Sequence, residues 1–206
     1  CYADNSAIWK YSGCPKCSGE LDRMSNPRII AGSARGIRLK AVPGDTTRPI
    51  TDRVKESLFN IIGSDVINSS WLDLFAGTGS VGIEALSRGA GFTQFLDKER
   101  NAINTINKNL QSTHLSNRGK VIHIDSFDFI KGPPSRKFDY IFIAPPQYHG
   151  MWLKALNTLD ANADWLAPNG WIIVQIDPVE YQEATSSNFT EFDQRRYGST
   201  LLLFFR

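Results

Sequence analysis

The stretch LDLFAGTGSVGIEAL, residues 72 to 86, limits the fold more than any other part of this 206-residue chain. An apolar run ends in glycines spaced Gly77-x-Gly79-x-x-Gly82 and passes straight into a helical period. That spacing lets the backbone turn sharply and lets the helix press against the strand it follows. A strand, a glycine turn and a helix form the first half of a βαβ unit, and the pattern continues. Strand-like runs at 92–96, 120–124, 138–143 and 170–176 alternate with helical candidates at 80–88, 99–110 and 150–162. A helix over 52–62 precedes them, with Thr51 as its N-cap and Gly63 as its stop. Alternation of this kind implies parallel strands joined by right-handed crossovers, hence an open α/β sheet with helices on both faces. The ending differs: FTEFDQRRYGSTLLLFF reads as two antiparallel strands turned at Tyr197-Gly198. Ligands on such sheets sit beyond the carboxyl ends of the strands.

The remaining composition narrows the setting. No apolar run approaches the roughly 18 residues that cross a bilayer, and no signal-peptide pattern opens the chain, so a cytoplasmic location is expected. Cys1, Cys14 and Cys17 all fall in the first 17 residues, and a tetrahedral metal site lacks its second ligand pair, so no metal is expected. Residues 1–23, ahead of Met24, read as a fused or disordered leader outside the fold. Residues 23–55 carry eight Arg or Lys against two acids, a net +6, which leaves −4 on the rest of a chain whose formal total is +2. A basic segment on a mildly acidic body is the footprint of a nucleic-acid contact, and equally of a solvated charged face.

The glycine loop admits two cofactors. With Asp97 twenty residues after Gly77, the spacing satisfies the dinucleotide fingerprint of a nicotinamide-dependent oxidoreductase. Asp73 separates the readings. A carboxylate four residues before the first glycine would oppose a pyrophosphate, yet it would favour S-adenosylmethionine, whose methionine arm carries an ammonium and whose sulfur is cationic. Asp97 would accept from ribose hydroxyls in either case. Asp125 would either accept from an adenine amino group or cap the helix that starts at Ser126.

The other display point is IFIAPPQYHG, residues 141–150. Paired prolines end the strand rigidly and leave the carbonyls of Ala144 and Pro145 without ladder partners, available to a donor on a ligand. His149 reads as an ordinary surface residue, and Trp152 and Trp165 as packing residues.

Taken in order, RIIAGSARGIRL, TTRPITDRVKESLFNII, LDLFAGTGSVGIEALSRGA and FDYIFIAPPQY resemble the RsmD family, bacterial methyltransferases acting on a guanine 2-amino group in small-subunit ribosomal RNA. The resemblance covers roughly residues 27–206. It implies a Rossmann-like class I methyltransferase sheet, mostly parallel with a C-terminal antiparallel hairpin, over 51–206. It also implies a small β-rich, basic, RNA-contacting extension over 24–50, and a helix from Thr51 to Asn60 that closes over the cofactor. The implied cofactor contacts are Asp73, Phe75, Gly77, Thr78 and Gly79, then Asp97 and Lys98, Asp125 and Ser126, and Arg53. Arg28, Arg35, Arg38, Lys40 and Arg48 are the implied RNA contacts. The implied partner is ribosomal RNA or an assembling small subunit, met by a monomer without membrane contact.

One departure touches the chemistry. The family's acceptor motif is Asp or Asn, Pro, Pro, then Tyr or Phe, whereas this chain has Ala144, Pro145, Pro146, Gln147 and Tyr148. The acid is missing and the aromatic comes one place late. The Pro145 carbonyl remains, Gln147 offers a neutral acceptor, and Tyr148 offers a face for a base turned out of its stack. A catalytically silent RNA-binding module is the competing expectation.

Overall fold

The computed structural model describes residues 26–44, 50–147 and 150–206. Seven strands form one sheet: β1 (Ser70–Asp73), β2 (Phe92–Asp97), β3 (Gly119–His123), β4 (Phe138–Ile143), β5 (Leu166–Ile176), β6 (Glu191–Tyr197) and β7 (Thr200–Phe205). Their order is β3-β2-β1-β4-β5-β7-β6. The first five are parallel, while β7 runs antiparallel to both β5 and β6, as the terminal hairpin requires. The chain starts in the middle of the sheet at β1 and winds outward in both directions. The strand order therefore reverses beside β1, where open α/β sheets bind ligands.

Among the described residues five α-helices cover the faces: α1 (Asp52–Ile62), α2 (Ser80–Ser87), α3 (Arg100–Ser112), α4 (Ser126–Lys131) and α5 (Met151–Asp160). Thr51 caps α1 by accepting from the Val54 amide at 3.4 Å, and the helix ends at Gly63, as its sequence predicts. Alternation along the strands sends side chains to two cores. Trp71, Phe95, Tyr140, Phe142, Ile173 and Leu202 face α1, α2 and α3. Leu72, Leu96, Ile141, Val174 and Leu203 face α4 and α5, with Trp152 and Trp165 fully packed among them. At Gly82 a Cβ would lie 2.3 Å from the Phe95 ring, so only glycine lets α2 rest directly on β2.

The segment before α1 carries, between 26 and 44, an isolated antiparallel bridge, Arg28 with Arg38, on either side of a turn at 33–36. Its apolar residues Ile29, Ala34 and Leu39 are buried in the same core as α1 and α2. Charge finishes the attachment. Glu84, fully buried on α2, accepts from the Ile30 and Ala31 amides at 2.8 and 3.0 Å and pairs with Arg88 at 2.7 Å and Lys55 at 3.6 Å. Lys55 donates in turn to the Arg28 carbonyl at 2.5 Å and to Ser80 Oγ at 3.1 Å. Burial lowers its pKa and Glu84 opposes that shift.

Candidate functional site

A cleft of about 1450 Å³ opens at the carboxyl ends of β1, β2, β4 and β5. Its floor is the turn between β1 and α2. There Gly77 and Gly79 take φ of 53° and 75°, backbone that side chains with a Cβ rarely adopt. The turn is tied down from several sides. Asp97 Oδ2 accepts from the Gly77 amide at 2.9 Å, and Asn109 on α3 donates to the Thr78 carbonyl at 2.9 Å.

Asp73 stands at the end of β1 with 2% of its surface exposed. Burial, and after it the charge of Asp97, pushes its carboxyl up to about 7, while the amides of Gly82 and Phe75 pull the other way. Its Oδ1 has no hydrogen-bond partner among the described residues. A buried, unmatched carboxylate oxygen facing a cleft is a place for a cationic donor.

The other expected cofactor residues divide. Phe75, Gly77, Thr78, Asp97, Lys98, Asp125 and Ser126 line the cleft. Gly79 does not; it shapes the turn from beneath, where an added Cβ would lie 3.2 Å from Ile83 and 3.3 Å from Ile106. Arg53 is exposed on α1 and is not part of the lining, because the buried face of that helix belongs to Val54, Lys55 and Leu58. Asp125 caps α4, its Oδ1 accepting from the Phe127 and Asp128 amides at 2.8 and 3.3 Å, while its residue borders the cleft. The Ser126 hydroxyl is engaged by the Leu74 carbonyl, which ties α4 to the end of β1.

Across the cleft, β4 ends at Ile143, and Ala144, Pro145, Pro146 and Gln147 form the wall. Pro145 is buried and Pro146 exposed, with every peptide bond trans among the described residues. Tyr148 lies outside the described residues, as do His149, Arg48, the leader and the three cysteines.

Of the basic residues, Arg35, Arg38 and Lys40 are exposed, and Lys40 borders the cleft. Arg28 is exposed but pairs with Asp52 at 2.7 Å. Asn109, Glu84 and Lys55 were absent from the sequence expectations. Asn109 accepts from the Lys40 amide at 2.8 Å and donates to its carbonyl at 3.1 Å, so one buried amide joins the basic segment to the glycine turn. In sequence it is, with Thr105, a polar residue on the otherwise apolar face of α3, and that misplaced polarity is its local signal.

A family model described as "Conserved hypothetical protein 95" matches residues 27–206. The chain is 39% identical over 175 residues to YlbH of Bacillus subtilis (strain 168), named as a candidate rRNA methyltransferase, across 84% of this chain and 95% of that one. It is 37% identical over 186 residues to ribosomal RNA small subunit methyltransferase D of Haemophilus influenzae, across 89% and 92%. Among solved structures it resembles yhhF of Escherichia coli, described as a candidate methyltransferase, with a TM-score of 0.78 at 29% identity over 87% of this chain and 97% of that one.

Proposed function

The chain belongs to the RsmD family, and from that premise we propose that it transfers a methyl group from S-adenosylmethionine to the exocyclic 2-amino group of a guanine in small-subunit ribosomal RNA. One observation carries the reading: the buried Asp73 carboxyl, its Oδ1 unmatched, shares a single cleft with the strand end at 144–147.

When bound, the cofactor supplies an electrophilic methyl on a sulfonium and an ammonium on its methionine arm. Asp73 pairs with that ammonium; a dinucleotide would instead bring its pyrophosphate against the same acid, which disfavours the oxidoreductase reading. Asp97 keeps lone pairs for ribose hydroxyls beside the two amides it already binds. At the other wall, the lone pair of an aryl amine is delocalised into its ring and attacks poorly unless acceptors orient the amine and stabilise its developing charge. The Pro145 carbonyl and the Gln147 amide oxygen take that role, with less stabilisation than a carboxylate would give. Arg35, Arg38 and Lys40, with Arg28, Arg48 and the aromatic Tyr148, meet the RNA. The working form is a cytoplasmic monomer acting on ribosomal RNA or on an assembling subunit.

The test is transfer of labelled methyl to unmethylated small-subunit ribosomal RNA, followed by digestion and identification of the product base. Methyl on guanine N2 is the expected result, and Gln147→Ala should slow it. Binding of both cofactor and RNA without transfer to any base would instead establish the binding module, which Ala144 in place of an acid favours.

A further inference from the structure

Four buried side-chain polar atoms lack a hydrogen-bond partner among the described residues, and three of them belong to residues lining this one cleft: Asn26 Oδ1, Asp73 Oδ1 and Gln175 Oε1. Buried polar atoms in folded proteins are nearly all paired, so acceptors left over together mark where a ligand donates. Asp73 answers to the cofactor's ammonium. Gln175 has had no role so far.

Its place in the sheet supplies one. The parallel register sets Phe142 beside Ile173 and Ile143 beside Val174, so the next step along the two strands sets Ala144 beside Gln175. Phe142, Ile173 and Leu202, the antiparallel partner of Gln175, all face the α1–α3 core. Strand alternation therefore projects Ala144 and Gln175 from that same face, about 4.8 Å apart. Asp73, registered beside Phe142, projects there too. With only a methyl group at Ala144, Gln175 stands on the neighbouring strand beside the place that a longer side chain at 144 would occupy.

We propose that Gln175 binds the methyl acceptor, its amide oxygen accepting a hydrogen bond from the guanine 2-amino group while the Pro145 carbonyl and the Gln147 amide oxygen accept the other two donors of that edge, the second amino hydrogen and N1–H. This rests on the methyl-transfer reading above. The Watson–Crick edge of guanine places two donors, N1–H and the 2-amino group, side by side, whereas adenine places a donor beside an acceptor. Adjacent protein acceptors therefore select guanine. In the transfer, the amine nitrogen forms a bond to the methyl carbon as the carbon–sulfur bond breaks and its electron pair stays on sulfur. The cationic nitrogen then releases a proton to water. Gln175 accepts a hydrogen bond throughout and takes no proton.

Gln175→Leu keeps the side chain's size and removes both polar atoms. With saturating cofactor and transcribed small-subunit ribosomal RNA, its single-turnover rate should fall about tenfold, as loss of one hydrogen bond to the reacting amine implies, with the Kd for S-adenosylhomocysteine and the Tm unchanged. Gln175→Glu should match or exceed the wild-type rate, and Ala144→Asp in the Gln175→Leu background should recover it. Binding supplies a second readout: wild type should hold a short single-stranded RNA containing guanine about two- to tenfold more tightly than its inosine counterpart, which lacks the 2-amino group. Gln175→Leu should erase that preference. Equal rates and equal preference in the two proteins would overturn the assignment. A wild-type chain that transfers no methyl would overturn the functional reading instead, and the inosine comparison would still decide what Gln175 binds.

Discussion

Replacing Asp73 by Asn should move fold stability and cofactor affinity in opposite directions. The carboxyl rises from 3.8 to about 7, chiefly through burial and then through Asp97. Ionising it inside the fold thus costs about 4 kcal/mol more than in water. The folded chain holds the proton between those two values, where the unfolded chain has lost it. Stability therefore falls as pH rises from about 4 to 7 and is flat above that window. Asn never ionises, so at pH 8 the empty variant should be more stable than wild type, by about 1 to 3 kcal/mol once the desolvation of its own amide is subtracted. Binding should respond the other way. Loss of a charged hydrogen bond worth about 1.5 to 3 kcal/mol weakens S-adenosylhomocysteine about 10- to 150-fold. In wild type the carboxyl must give up its proton to receive the ammonium, so affinity should fall about tenfold per pH unit below 7, and the Asn variant should lose that dependence. Urea denaturation at pH 8 and calorimetric titration between pH 6 and 8 measure both arms. Equal affinity in the two proteins, or a wild-type affinity flat from pH 6 to 7, would refute the pairing of Asp73 with the ligand.

Three further outcomes follow from the packing. Glu84→Ala strands Lys55, Arg88 and the Ile30 and Ala31 amides, so urea denaturation should show a loss of about 3 to 5 kcal/mol. At Gly32, where φ is +84° and an added Cβ would lie 1.9 Å from the Ser87 carbonyl oxygen, Gly32→Ala should lower the Tm and open residues 26–44 to limited proteolysis. RNA affinity should fall with added salt, and neutralising Arg35 or Lys40 should flatten the log-log slope by about 0.7 to 0.9 each. Arg28→Ala should flatten it by less, since Asp52 already lies 2.7 Å from that guanidinium.

Local chemistry made much of the molecule legible in advance. The glycine spacing needs no distant partner to specify a tight turn, so Gly77, Thr78 and Asp97 could be placed from the sequence, and the turn lies where the strands end. Alternating periods gave β1 to β5 and the helices α2, α3 and α5 among them, and Tyr197-Gly198 marked the hairpin. The paired prolines marked the end of β4 for the same reason: a residue without an amide hydrogen acts on its own neighbours.

Tertiary structure decided what depends on neighbours far apart in the chain. Whether Asp125 caps a helix turned on the geometry at the start of α4. Arg53 belonged to a helix whose buried side faced elsewhere. Glu84 and Lys55 are separated by 29 positions and Asn109 and Lys40 by 69, and each pairing exists only because the basic segment folds back over α2 and α3. Gln175 is an unremarked polar residue in an apolar run until the register of two parallel strands sets it beside Ala144. Sequence periodicity fixes which face of its own strand a residue takes, and only the assembled sheet determines what stands next to it there.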